Sequence, residues 1–78
     1  MMTGAIRELD LHGCTVQQAQ AAIDAALRRS RGVYRIRVIH GYHGGTAIRD
    51  MLREEYAPRV LRLVSVNEGT TDLVLREF

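Results

Sequence analysis

Val33-Tyr34-Arg35-Ile36-Arg37-Val38-Ile39 runs directly into His40-Gly41-Tyr42-His43-Gly44-Gly45. Tyr34, Ile36 and Val38 alternate with Arg35 and Arg37, as in a half-buried strand, and the glycines then break the pattern. From Thr46 onward, Ile48, Met51, Leu52 and Tyr56 recur at helical spacing until Pro58, which cannot continue a helix. A strand that passes through a glycine loop onto an amphipathic helix is half of a βαβ unit. The other half lies upstream. Ile6 to His12 alternates, with Leu9 and Leu11 on one side and Glu8, Asp10 and His12 on the other. After Gly13, Thr15 and Gln18 form a capping-box pair, and Val16, Ala19, Ile23, Ala26 and Leu27 mark a helix that closes by Gly32. Downstream, Val60 to Val66 and Asp72 to Phe78 alternate around Asn67-Glu68-Gly69-Thr70, which predicts a terminal hairpin. The order βαβαββ, with right-handed crossovers, predicts a two-layer α/β (α+β) sandwich: a four-stranded mixed sheet with two helices on one face. The other face is left open and carries Glu8, Asp10, His12, Arg35, Arg37, Arg62 and Arg76.

The chain has 78 residues, room for one small core and no second fold. Residues 1–8 read as a lead-in and the start of strand one, and 9–78 as a single domain. With 46% hydrophobic and 26% charged residues, the composition is that of a soluble globular chain. Met1-Met2-Thr3-Gly4 lacks a basic region followed by an apolar run, so neither a signal peptide nor a membrane span is expected. Cys14 is the single cysteine, which excludes an internal disulfide and suits a reducing, cytoplasmic compartment.

The net charge is only +2, but every one of the eleven basic residues is arginine. Arg28, Arg29, Arg31, Arg35, Arg37 and Arg49 all lie between Asp24 and Asp50 without an intervening acid. Arginine's planar fork matches phosphate oxygens, so the cluster fits a nucleic-acid partner. A plainer reading places Arg28, Arg29 and Arg31 on the favourable carboxyl end of helix one, but it does not cover Arg35 and Arg37.

Parallel strands one and two end on the same side of the sheet, where open α/β sheets bind ligands. Two polar clusters converge there. Asp10 and His12 are two apart on a strand and point the same way, so the carboxylate can orient the imidazole. The second cluster is the His40-Gly41 loop, whose Gly44 and Gly45 allow backbone N–H groups to approach a phosphate at the start of helix two. The plainer alternatives are a solvated polar strand end for Asp10 and His12, a packed loop residue for Tyr42, and a small apolar residue for Cys14. Tyr34, in step with Ile36 and Val38, reads as core.

Leu9-Asp10-Leu11-His12-Gly13, with the downstream His40-Gly41 loop leading into a helix, resembles the Smr (small MutS-related) domain family across Leu9 to Phe78. The family's LDxH motif falls on Leu9, Asp10, Leu11 and His12, and its HGxG motif begins at His40 and Gly41. Where the family has its next glycine this chain has His43, followed by Gly44 and Gly45, a loop one residue longer. The resemblance implies the βαβαββ fold, an architecture like the carboxy-terminal domain of translation initiation factor three, and endonuclease activity that nicks DNA or cuts RNA.

Phosphodiester cleavage needs groups to accept and donate a proton and cations for the developing charge. The expected catalytic residues are Asp10, His12 and His40. Gly41, Gly44, Gly45, Arg35 and Arg37 are the expected nucleic-acid and phosphate contacts. With Asp10 the one well-placed carboxylate, a two-metal route fits poorly. A metal-free mechanism on RNA, using the 2′-hydroxyl as nucleophile and His12 and His40 as acid and base, fits the inventory better, and no metal ligand is assigned. A single divalent ion is compatible with that inventory. The alternative function is a nucleic-acid-binding module that acts through its arginines without cutting. The charged open face argues against a protein interface and for a monomer.

Overall fold

In the computed structural model, residues 5–42 and 46–77 are described. The expected order is found: β1 (Ala5–Asp10), α1 (Val16–Arg28), β2 (Val33–Ile39), α2 (Ala47–Met51), β3 (Arg62–Asn67) and β4 (Thr70–Val74). The sheet order is β1-β2-β4-β3, with β1 parallel to β2 and the other pairings antiparallel. The terminal hairpin therefore inserts β4 beside β2 and leaves β3 at the edge. Several boundaries differ from the sequence reading. The hairpin turn is tight, so β4 begins at Thr70 rather than Asp72 and ends at Val74. Helix two does not stop before Pro58: α2 passes into a π-helical turn over Leu52–Tyr56 and then a 3₁₀ turn over Ala57–Arg59, which accepts the proline in its first positions.

α1 starts where the capping box predicts. The Thr15 side chain accepts from the Gln18 N–H at 3.0 Å, and the Gln18 side chain accepts from the Thr15 N–H at 2.9 Å. Ala19, Ile23 and Ala26 on α1 bury against Ile36 and Val38 of β2 and Leu73 of β4, together with Ile48, Met51, Leu52 and Tyr56 from helix two. Both helices thus cover one face. Tyr34 is half-buried at the end of that face rather than within the core.

Tyr56 locks the helices to each other. Its ring is 1% exposed, and its hydroxyl donates to Asp24 Oδ1 on α1 at 2.6 Å. Arg59 lies over the ring at 4.9 Å. Burial, with the Asp24 carboxylate as a further cause, pushes the phenol up from 10.0 to about 12. The folded state therefore holds this proton more tightly than the unfolded chain does. The resulting stability is fully present below pH 10 and is lost as pH rises through about 12. Tyr56→Phe is expected to cost about 1 kcal/mol at neutral pH, the scale of one hydrogen bond to a half-exposed carboxylate, and to flatten this alkaline decline. Denaturant unfolding at pH 8 and pH 11 measures both effects.

Candidate active site at the carboxyl ends of β1 and β2

The parallel ladder continues past β1: the Leu11 N–H donates to the Ile39 carbonyl at 2.8 Å. That bond holds the two strand ends side by side. Gly13 (φ +80°) and Gly41 (φ +75°) then turn each chain in the left-handed region that glycine adopts without strain. Between the turns lies a cleft of about 620 Å³ walled by residues 12–16, 39–42 and 47–49.

The Asp10 and His12 side chains do point the same way. His12 Nδ1 donates to Asp10 Oδ1, and the His12 backbone N–H lies 3.4 Å from the same oxygen. The hydrogen bond from His12 holds the Asp10 carboxyl below its ordinary value of 3.8. With Nδ1 committed to the carboxylate, Nε2 is the nitrogen that remains for a ligand. The His12 side chain is 70% exposed, so this couple is built at the surface and is not a core polar pair.

His40 reaches the same cleft in a different state. Strand parity turns it toward the helix face, and it is 8% exposed. Its Nδ1 lies 2.8 Å from the Gly41 carbonyl and its Nε2 lies 2.9 Å from Thr71 Oγ1. A carbonyl only accepts, so Nδ1 carries the proton, and in the neutral ring Nε2 accepts from the Thr71 hydroxyl. Proton exchange at His40 requires one of these bonds to break. The Gly69 carbonyl also accepts from the N–H groups of His40 (2.9 Å) and Gly41 (3.0 Å). A Cβ on Gly41 would lie 3.4 Å from the His12 Cβ, so the turn packs directly on the neighbouring strand end.

Gly44, Gly45 and His43 lie outside the described residues. Cys14 is half-buried, packed against the core and part of the cleft wall, and Tyr42 is 55% exposed at its rim. Among the described residues, no group of three or more His, Cys, Asp and Glu side chains converges to hold a metal.

Arg35 and Arg37 occupy the open sheet face as expected, but they are engaged. Asp72, on the neighbouring β4, is fully buried and was not singled out in the sequence. Arg37 grips it with two bonds of 2.9 Å, and Arg35 Nη1 donates to it at 2.9 Å. The Asp72 carboxylate, with Glu8 adding to it, holds the Arg37 guanidinium above its ordinary value. On the same face Arg62 pairs with Glu77 at 2.8 Å. The one sequence signal for Asp72 was parity, since it shares a face with Thr70 and Val74 once β4 starts at Thr70. The arginines at the end of α1 are placed apart from the cleft: α1 runs back against β1, and the Ala5 N–H donates to the Gly32 carbonyl at the opposite end of the sheet. Arg76 lies beyond the end of β4, with Nη2 3.5 Å from the Ser30 carbonyl.

Fold and cleft together define a small α/β domain with a polar site at the ends of its parallel strands. The Smr domain family model matches residues 9–73, so the chain belongs to the Smr domain family. The crystal structure of the Smr domain of Thermus thermophilus MutS2 superposes with a TM-score of 0.71 at 30% identity, covering 91% of this chain and 99% of that one. No curated protein matches. The family is one of nuclease and nucleic-acid-binding roles, and no helix among the described residues is long and apolar enough to cross a membrane.

Two outcomes follow from this geometry. Long-range 1H–15N spectra at pH 8 are expected to show His40 protonated at Nδ1, with Thr71→Val disturbing its Nε2 resonance. Arg35→Gln combined with Arg37→Gln leaves a buried carboxylate without a cation, and the melting temperature is expected to fall on the order of ten degrees or more.

Proposed function

We propose that the protein is an endonuclease of the Smr type whose chemistry is carried by the Asp10–His12 couple. The observation that supports it is an exposed imidazole, held in one tautomer by a carboxylate, on the wall of a cleft in a chain of this family. His12 Nε2 serves as the general base. On RNA it takes the proton of the 2′-hydroxyl, which attacks the adjacent phosphorus in line; the bond to the 5′-oxygen breaks, that oxygen takes a proton from solvent water, and the products are a 2′,3′-cyclic phosphate and a 5′-hydroxyl. Asp10 orients the ring and balances the charge that forms on it. His40 has a positioning role, because its bonds to Gly41 and Thr71 fix the turn that backs the cleft.

A second reading is a module that binds nucleic acid without cutting. It draws support from the engagement of both His40 ring nitrogens, which leaves His12 as the one imidazole with a free nitrogen among the described residues.

The deciding experiment incubates the protein with labelled single- and double-stranded RNA and DNA, with and without chelator. Cleavage by the wild type is expected, and His12→Ala or Asp10→Asn should lower its rate on the order of a hundredfold or more. Both side chains are exposed, so the melting temperature should stay unchanged. Binding without cleavage by any form selects the second reading.

A further inference from the structure

The pairing of the arginines points to a phosphate-holding residue other than Arg35 and Arg37. Those two share Asp72, Arg62 faces Glu77, and Arg59 faces Asp24 at 3.5 Å. A guanidinium whose charge is already compensated by a carboxylate gains less from a phosphate, because the pair presents little net positive charge to it. Arg49, on α2, has no carboxylate partner among the described residues. It is also the one arginine among the described residues of the cleft wall, alongside His12, Gly41 and Ile48. Its Nε is out of solvent and without a hydrogen-bond partner among the described residues. The neighbouring Ile48 and Met51 are buried and anchor α2 to the core. With its Nε out of solvent, the partly buried Arg49 side chain has less rotamer freedom to lose when a ligand arrives, and the orphaned N–H is a polar group for which an anion offers a partner.

We propose that Arg49 holds the phosphodiester of a nucleic-acid strand against His12, as a phosphate-binding residue of this cleft. The assignment rests on reading the cleft as a nucleic-acid site. Arg49 supplies the fixed positive charge there; Asp10 is committed to His12, and among the described residues no carboxylate lines the cleft to compete for it.

The test is fluorescence anisotropy of a labelled single-stranded RNA oligonucleotide, and of its DNA counterpart, across a range of KCl concentrations. The proteins are the wild type, Arg49→Gln, Arg49→Lys, and Arg53→Gln as a control from an exposed position further along the same helix. Arg49→Gln is expected to weaken binding about fivefold to tenfold and to reduce the slope of log affinity against log salt by about 0.7, the value of one single-strand phosphate contact. Arg49→Lys restores the slope but not the full affinity, because an ammonium lacks the fork. Arg53→Gln leaves both unchanged. Melting temperatures identify any variant that has lost its fold, and in the wild type the Arg49 Nε–H resonance should shift on titration with the oligonucleotide. A folded Arg49→Gln variant with the wild-type slope, or an unmoved Nε–H resonance, overturns the assignment. Cleavage that survives His12→Ala, with the Arg49 slope change present, overturns the nuclease mechanism and leaves the phosphate contact standing. A wild type that binds neither oligonucleotide overturns both.

Discussion

The last rung of the parallel ladder, from the Leu11 N–H to the Ile39 carbonyl, is the constraint on which the site depends. It holds two chain segments together at the point where each leaves the sheet, and Gly13 and Gly41 then turn them to opposite sides of one cleft. Without this pairing, Asp10 and His12 are a local couple with nothing opposite. Parallel pairing also explains why α1 has to cross back over the sheet, since parallel neighbours need a helical connection. The helix positions Cys14 and Val16 as cleft wall, so the element that closes the core also shapes the site.

Charge has two separate roles in this molecule. On the open face, Glu8, Arg37, Asp72 and Val64 form one row across the sheet, and Ile6, Arg35, Val74 and Arg62 form the next. Asp72 is the centre of this arrangement, fully buried between two arginines and compensated by them. Arg35 and Arg62 flank Val74, which is 1% exposed on a sheet face that no helix covers. Arginine stems are apolar along most of their length and suit this position. The arginine count, taken as a measure of phosphate affinity, therefore overstates what the open face can contribute, because part of it is structural.

The sequence made the fold legible because its signals were local and mutually consistent. Thr15 and Gln18 cap a helix whose apolar residues then bury, and Val33–Ile39 alternates and is a strand over those bounds. The motif at Asp10 and His12 was legible for the same reason, since residues two apart on a strand share a side. The strand order was not legible, because hairpin insertion beside β2 is a long-range choice. The partners of His40 and of Arg35 and Arg37 depended on that choice: Thr71 and Asp72 meet them only because β4 lies next to β2. Periodicity also could not foresee the π turn that precedes Pro58, in which Leu52 and Tyr56 are both buried.

A small domain has little core to offset unsatisfied polar groups, so where it leaves them unpaired carries information. His40 and Asp72 are buried and fully engaged, which makes both of them part of the fold's stability. Among the described side chains, the buried nitrogens without partners are Arg35 Nε and Arg49 Nε. Arg35 belongs to a guanidinium already tied to Asp72 through Nη1, so its charge is compensated even though one N–H is not. Arg49 has no such compensation and borders the cleft that also exposes His12 Nε2. His12 Nε2 and the Arg49 guanidinium thus border the same cleft at the carboxyl ends of β1 and β2. On the nuclease reading proposed above, an anion with a proton to lose beside it is the chemistry that completes both.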